Sequence, residues 1–195
     1  MTRARPATPQ TSVRRAVLLA LAVCLLAALH GVAPAQTGVA AAEEVVDTAQ
    51  TPAGELSLVR RREADGVVAV VIKLGGRVLA EKSASREGDA YQGASFAGLY
   101  PQSAPRYALV GLSTGALVCG AKFTVVDLSG GAAGARASED FGNCSDAPRV
   151  AYRRGSLTIT FPAGPKKRDP GAHYVGPGQV WSYGGGRLRK VGGRR

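Results

Sequence analysis

Histidine is almost missing from this sequence: two occur in 195 residues, His30 and His173. His30 falls at the end of the apolar N-terminal segment, so any Ser-His-Asp arrangement must use His173. That residue sits in a loop-like stretch, Asp169-Pro-Gly-Ala-His-Tyr174, and no Gly-x-Ser-x-Gly elbow is present. The three cysteines lack the paired spacing of a structural zinc site. The glycine clusters at 75–76, 130–131 and 184–186 lack the Gly-Lys-Ser/Thr ending of a nucleotide loop and read as turns between strands. Acidic pairs are few. Glu139 and Asp140 are adjacent, so on a strand they face opposite ways and cannot act together on a glycoside. Asp146, before Ala147-Pro148, reads as a turn residue. No catalytic constellation, metal site or cofactor is implied.

Long hydrophobic runs are equally scarce. One exists, Ala16–Leu29, about 14 apolar residues against the roughly 20 a spanning helix needs. It follows a leader that holds Arg3, Arg5, Arg14 and Arg15 and no acid, the layout of a secretory signal peptide. Ala33-Pro34-Ala35 provides an A-x-A-like cleavage site leaving Gln36 as the new N-terminus, with Ala40-Ala41-Ala42 as a second candidate. Arg14-Arg15 partly resembles a twin-arginine signal, although Val13 replaces the usual small hydroxyl residue. Leu21-Ala-Val-Cys24 is a poor lipobox, because Val23 is bulky and Cys24 lies inside the apolar core. An uncleaved anchor is the remaining alternative. No transmembrane span is expected after cleavage.

Removing residues 1–35 removes four arginines and no acid, leaving 21 basic and 14 acidic residues. The remaining 160 or so residues suit one domain with a real core. They also retain an even pair of cysteines, Cys119 and Cys144, which in an oxidising compartment favours a disulfide. Closing a loop of that length stabilises by about 3.5 kcal/mol in the chain-entropy model. The richness in Ala, Gly and Arg points to a bacterial source of high genomic GC content, and so to a periplasmic or secreted destination. In that setting Asn143-Cys144-Ser145 has no glycosylation meaning.

Residues 36–54 are rich in Ala, Gly, Thr and Pro and read as a flexible leader. Strand signals then accumulate through a single β-rich domain, 55–191, with a basic tail at 192–195. Gly66–Leu74 is apolar on both faces and β-branched, Gly75-Gly76 suits a two-residue hairpin turn, and Arg77–Ser83 returns. Residues 84–105, with Tyr91, Phe96 and Tyr100, read as a loop or short strand over the core. After a strand at Arg106–Ser113, Leu117, Cys119, Ala121, Phe123 and Val125 share one inward face by the period of two. Arg149–Tyr152 precedes a turn at Arg153-Arg154-Gly155. Ser156–Phe161 then alternates cleanly, with Leu157, Ile159 and Phe161 inward. A last hairpin pairs Gln179–Tyr183 with Arg187–Val191 around three glycines. Short strands at about ten-residue spacing predict an all-β fold: an antiparallel β-sandwich or barrel built from hairpins, preceded by a helical signal peptide.

The Cys119 strand with Phe123, followed by Phe141-Gly142-x-Cys144-Ser145-Asp146 and Leu157-x-Ile159-x-Phe161-Pro162, resembles small two-cysteine exported proteins of Gram-negative bacteria. The resemblance spans about a quarter of the chain. It implies a Cys119–Cys144 pair and an all-β domain, and it carries no catalytic residue.

The basic clusters are the remaining chemical feature: Arg60-Arg61-Arg62, Arg153-Arg154, Lys166-Lys167-Arg168, and Arg187, Arg189, Lys190, Arg194 and Arg195. With Trp181 and Tyr183 beside the last group, Lys166, Lys167, Arg168, Arg187, Arg189, Lys190, Arg194 and Arg195 are the candidates for gripping a polyanion. The alternative is a solvated basic surface with Trp181 in the core. Nucleic acid is not the expected partner in an exported compartment; an envelope protein, or an anionic polymer or lipid, is. The sequence thus points to an exported, non-enzymatic binding module of the cell envelope. An inhibitor or immunity protein against a secreted enzyme, and an unrecognised hydrolase, are the alternatives. Mass spectrometry of the exported protein is expected to give an N-terminus at Gln36; a mass retaining residues 1–35 would refute the signal peptide.

Overall fold

The computed structural model describes residues 42–63, 66–84, 88–115, 119–164 and 175–194. The predicted signal peptide with its Ala35–Gln36 cleavage site, His173, Lys166, Lys167, Arg168 and Arg195 lie outside the described residues.

The described chain is all-β, in three four-stranded antiparallel sheets. The first contains β1 (Ala42–Thr51), β2 (Gly54–Arg62), β3 (Val68–Leu74) and β4 (Arg77–Lys82), in that order. The second contains β5 (Gly93–Tyr100), β6 (Tyr107–Ser113), β7 (Ala121–Asp127) and the short β8 (Arg136–Ala137), which follows one helical turn, α1 (Gly131–Gly134). The third runs in the order β12 (Arg187–Arg194), β11 (Gly178–Gly184), β10 (Ser156–Phe161), β9 (Arg149–Arg153). Every pairing joins neighbours in sequence, so the fold is a set of hairpins and meanders. Three hairpin turns place two successive residues at positive φ: Gly75-Gly76, Arg154-Gly155 and Gly185-Gly186. Such turns match the twist of the flanking strands.

The middle sheet explains the layering. Alternate residues of β6 and β7 serve two cores. Ala108, Val110, Leu112 and Val126 pack with Leu56, Leu58, Val70, Ile72 and Leu74 of the first sheet. Tyr107, Leu109, Phe123 and Val125 pack with Leu157, Ile159, Phe161 and Tyr183 of the third. The result is an antiparallel β-sandwich of three layers. The second core is aromatic: Phe161 packs against Phe123 and Phe141, and Phe141 against Trp181, with ring centroids 5.2–5.8 Å apart.

Sheet edges are joined by polar contacts. The Asp47 carboxylate accepts the Phe96 backbone N–H at 2.9 Å, tying β1 to the open edge of β5. On the opposite side Lys82 donates to the Ser138 carbonyl at 3.1 Å, and Arg77 donates to the Ala132 carbonyl. The first two sheets are therefore linked along both edges.

Two expectations are corrected. Residues 42–54 are not a flexible leader, since β1 occupies Ala42–Thr51 and pairs along β2. Its composition is weakly strand-like, and tertiary pairing with the Asp47–Phe96 contact holds it. Residues 192–194 are not a tail either, because β12 continues through Arg194 opposite Gly178. The segment 84–105 contains a full strand, β5, its regularity interrupted by a bulge between Phe96 and Gly98. No described helix is long and apolar enough to cross a membrane.

Asn143 fastens the passage from the middle sheet to the third. Its buried amide donates to the Pro162, Gly176 and Pro177 carbonyls at 2.7, 3.3 and 3.0 Å, while its oxygen accepts the Ser145 N–H at 3.2 Å. Removing it takes the partner from the buried Ser145 N–H and breaks the part-buried bonds to the Pro162 and Pro177 carbonyls. Asn143→Ala is expected to cost about 3 kcal/mol in denaturant unfolding. Asn143→Asp should cost more, because it sets a carboxylate oxygen against three carbonyls; an Asp variant as stable as the parent would refute the role.

Candidate functional site

Charge is unevenly divided along the folded chain. Residues 42–146 carry ten basic and thirteen acidic side chains, whereas residues 147–195 carry eleven basic side chains and one acid, Asp169. The whole positive excess after the predicted signal peptide thus belongs to the segment that forms the third sheet.

In the first sheet the arginines are largely answered. Arg60 pairs with Glu44, Arg61 with both Glu63 and Glu81, and Lys73 with Glu43 at 2.6 Å. By register, the Lys73–Glu43 and Arg61–Glu81 pairs cross the outer face diagonally beside buried Val59 and Val71. The Arg60-Arg61-Arg62 cluster is therefore mostly spent on this sheet's own acids.

The third sheet differs. Period-two alternation sends Val150, Tyr152, Leu157, Ile159, Phe161, Trp181, Tyr183 and Leu188 toward the core. The opposite parity leaves Arg149, Ala151 and Arg153 on β9, Ser156, Thr158 and Thr160 on β10, Val180 and Ser182 on β11, and Arg187 and Arg189 on β12. The register aligns them in rows. Arg153 opposes Ser156, Thr158 opposes both Ala151 and Ser182, Ser182 opposes Arg189, and Gly184 opposes Arg187. The face is a floor of hydroxyls between two rails of arginine, one on each edge strand. The rails stand three inter-strand gaps apart, about 14 Å. Among the described residues none of these four arginines makes an ion pair, and no acid lies on the face.

Of the residues proposed from sequence, Arg187 and Arg189 are brought together on this face. Lys190 is not: it pairs opposite Trp181 and stands 6.0 Å from that ring, on the other side of the sheet. Trp181 is a core residue with its indole N–H donated to Gln179 at 2.9 Å, so it takes no part in a surface grip. Arg194 is the terminal residue of β12, while Arg195, Lys166, Lys167 and Arg168 fall outside the described residues. The second rail, Arg149 and Arg153, was missing from the expected set. Its signal is present in Arg149-Val-Ala-Tyr-Arg153, where the period of two puts both arginines on one face.

Cys119 and Cys144 form the expected disulfide, with Cα atoms 4.8 Å apart. Nearby, an open cleft of about 570 Å³ lies over β5 and β6, floored by Gly93, Ser95, Gly111 and Ser113, with Phe123 at its end and Asp146 on its lining. Asp140 is engaged elsewhere, accepting the Tyr91 hydroxyl at 2.8 Å and lying 3.9 Å from Lys82. Among the described residues no group of three His, Cys, Asp or Glu side chains is placed to hold a metal.

One buried polar cluster links the middle and third sheets. Asp127, 2 % exposed, accepts from the Ser129 N–H and hydroxyl and from the Tyr183 hydroxyl at 3.2 Å, with Arg136 at 3.7 Å. The Arg136 guanidinium occupies the space where a Cβ at Gly186 would lie, and Gly186 has φ +73°, so only glycine fits that turn. Burial, reinforced by the Asp127 charge, pushes the Tyr183 phenol up to about 12. The cluster is structural in character: it pins the β11–β12 turn beneath one end of the arginine face.

The chain matches none of the family models, curated proteins or solved structures with which it was compared. Function must therefore be argued from the third sheet itself. The raised Tyr183 value fixes a pH window: the folded state holds the phenolic proton more tightly than the unfolded chain. That stabilisation is complete below about pH 10 and is lost between about 10 and 12. Alkaline absorbance titration is expected to show a late tyrosinate phase that Asp127→Asn moves toward pH 10. A phase unmoved by that variant would remove Asp127 as a cause.

Proposed function

We propose that the protein is an exported, non-enzymatic binding module of the bacterial cell envelope, holding an anionic envelope polymer on the outer face of β9–β12. The observation that carries this reading is the pair of unpaired arginine rails around a hydroxyl floor. Four cations with no acid among them are costly to assemble by self-repulsion, and an anionic ligand relieves that cost. Guanidinium groups offer paired donors to phosphate or carboxylate, and serine and threonine hydroxyls add single donors between them. Rigid strands hold these groups in place before the ligand arrives, so little ordering entropy is lost on binding. The signal-peptide layout of residues 1–35 and the Cys119–Cys144 bond support an oxidising destination.

The test is retention of the purified protein on its native envelope fraction. Salt-labile retention is expected, and replacing Arg149, Arg153, Arg187 and Arg189 by glutamate should abolish it. Retention that survives both high salt and this reversal, through a stoichiometric protein, would overturn the polymer reading in favour of an inhibitor or assembly partner.

A further inference from the structure

The spacing of the arginine rails narrows the polymer class. Arg187 and Arg189 stand two residues apart on one face of an extended strand, so their Cα atoms are six covalent bonds and about 7 Å apart. On the opposite rail Arg149 and Arg153 stand twice that repeat apart, about 13 Å, with Ala151 between them. Both rails therefore present positive charge at one fundamental period, along the same direction. The floor between them runs parallel to that direction, through Ser156, Thr158 and Thr160 on β10 and Ser182 on β11.

We infer that this channel binds a linear phosphodiester polymer with a short polyol spacer, lying along β10 and β11 between the rails. The inference rests on the reading of this face as an anion site. A phosphodiester chain with a three-carbon spacer has six bonds between successive phosphorus atoms, the same count as two residues of polypeptide. Extended, the two chains share a repeat of about 7 Å, so successive phosphates meet Arg187 and Arg189 in turn. Two features of the face disfavour other polyanions. Every aromatic side chain of the third sheet packs toward the core: Tyr152, Phe161, Trp181 and Tyr183. Nothing on the outer face can stack a nucleobase, which a single-stranded nucleic acid would use. Apart from Val180 the floor is hydroxylic, which suits a thin polyol backbone whose charges point sideways to the rails. A phosphodiester is moreover ionised across the whole physiological range, so its grip by always-charged arginine is independent of pH there.

The test uses the purified protein and three probes of matched length and charge: a synthetic glycerol phosphodiester oligomer, oligothymidylate and poly-L-glutamate. The glycerol phosphodiester is expected to bind most tightly. With four arginine contacts its affinity should fall about 50-fold between 50 and 200 mM salt, by the counter-ion release rule for flexible polyanions. Replacing Arg153 and Arg187 together by alanine should weaken it at least tenfold and reduce the salt slope by about 1.4. Arg62→Ala removes a charge from the first sheet and should leave binding unchanged. Lysine at 153 and 187 keeps the charge and loses the paired donors, and should weaken binding several-fold. Equal binding of polyglutamate, tighter binding of oligothymidylate, or a loss at Arg62 matching that of the pair would overturn the inference. Failure of all three probes to bind would instead overturn the anion-site reading on which it rests.

Discussion

Strand β6 has apolar side chains on both faces and β7 is buried along its whole length, and strands of that kind are stable only when a sheet lies against each side. The rest of the molecule answers that demand. The first sheet lays Leu56, Leu58, Val70 and Ile72 against one side, and the third lays Leu157, Ile159 and Phe161 against the other. Because β6 and β7 are covered on both sides in this way, apart from the cleft over β5 and β6, each outer sheet has a single free face. The first sheet closes its free face with internal ion pairs, and the third leaves its arginines without acidic neighbours. The arginine face is thus a consequence of the layering: among the described residues it is a broad face not needed for the core or for internal charge balance.

The sequence read well where local pattern and final environment agreed. Ser156–Phe161 alternates inward and outward as its residues suggest, and the glycine pairs at 75–76 and 185–186 turn where expected. Cys119–Cys144 is bonded as the even pair implied. It read poorly where a distant partner decides. Ala42–Thr51 has too little apolar pattern to identify itself as a strand, and its place depends on pairing with β2 and on Asp47 meeting the Phe96 amide. A third layer was equally invisible. The double-sided burial of Tyr107–Leu112 is written in its residues, but two-sided burial does not say how many sheets provide it.

The arginine face was half legible for a related reason. A linear reading groups Arg187, Arg189 and Lys190 by nearness in sequence, whereas a strand separates neighbours to opposite sides. Lys190 accordingly leaves the group and joins Trp181. Arg149 and Arg153 enter it across two intervening strands, a relation fixed by hydrogen-bond register and by no feature of their own segment. Composition did carry the underlying signal, since nearly all acids precede residue 147.

The polar stem formed at Asn143 has a separate consequence for how such a chain can change over generations. The Gly164 N–H meets the Gly176 carbonyl at 3.1 Å, and Asn143 holds both sides of that junction by side chain and backbone. This junction holds the ends of β10 and β11 in register by itself. Insertions in the sequence joining Gly164 to Gly176 are therefore expected to disturb neither sheet, because each doubling of a closed connection adds only about 0.6 kcal/mol. Diversity among descendants of this fold is expected to concentrate there, while the arginine rows remain bound to the geometry of the strands.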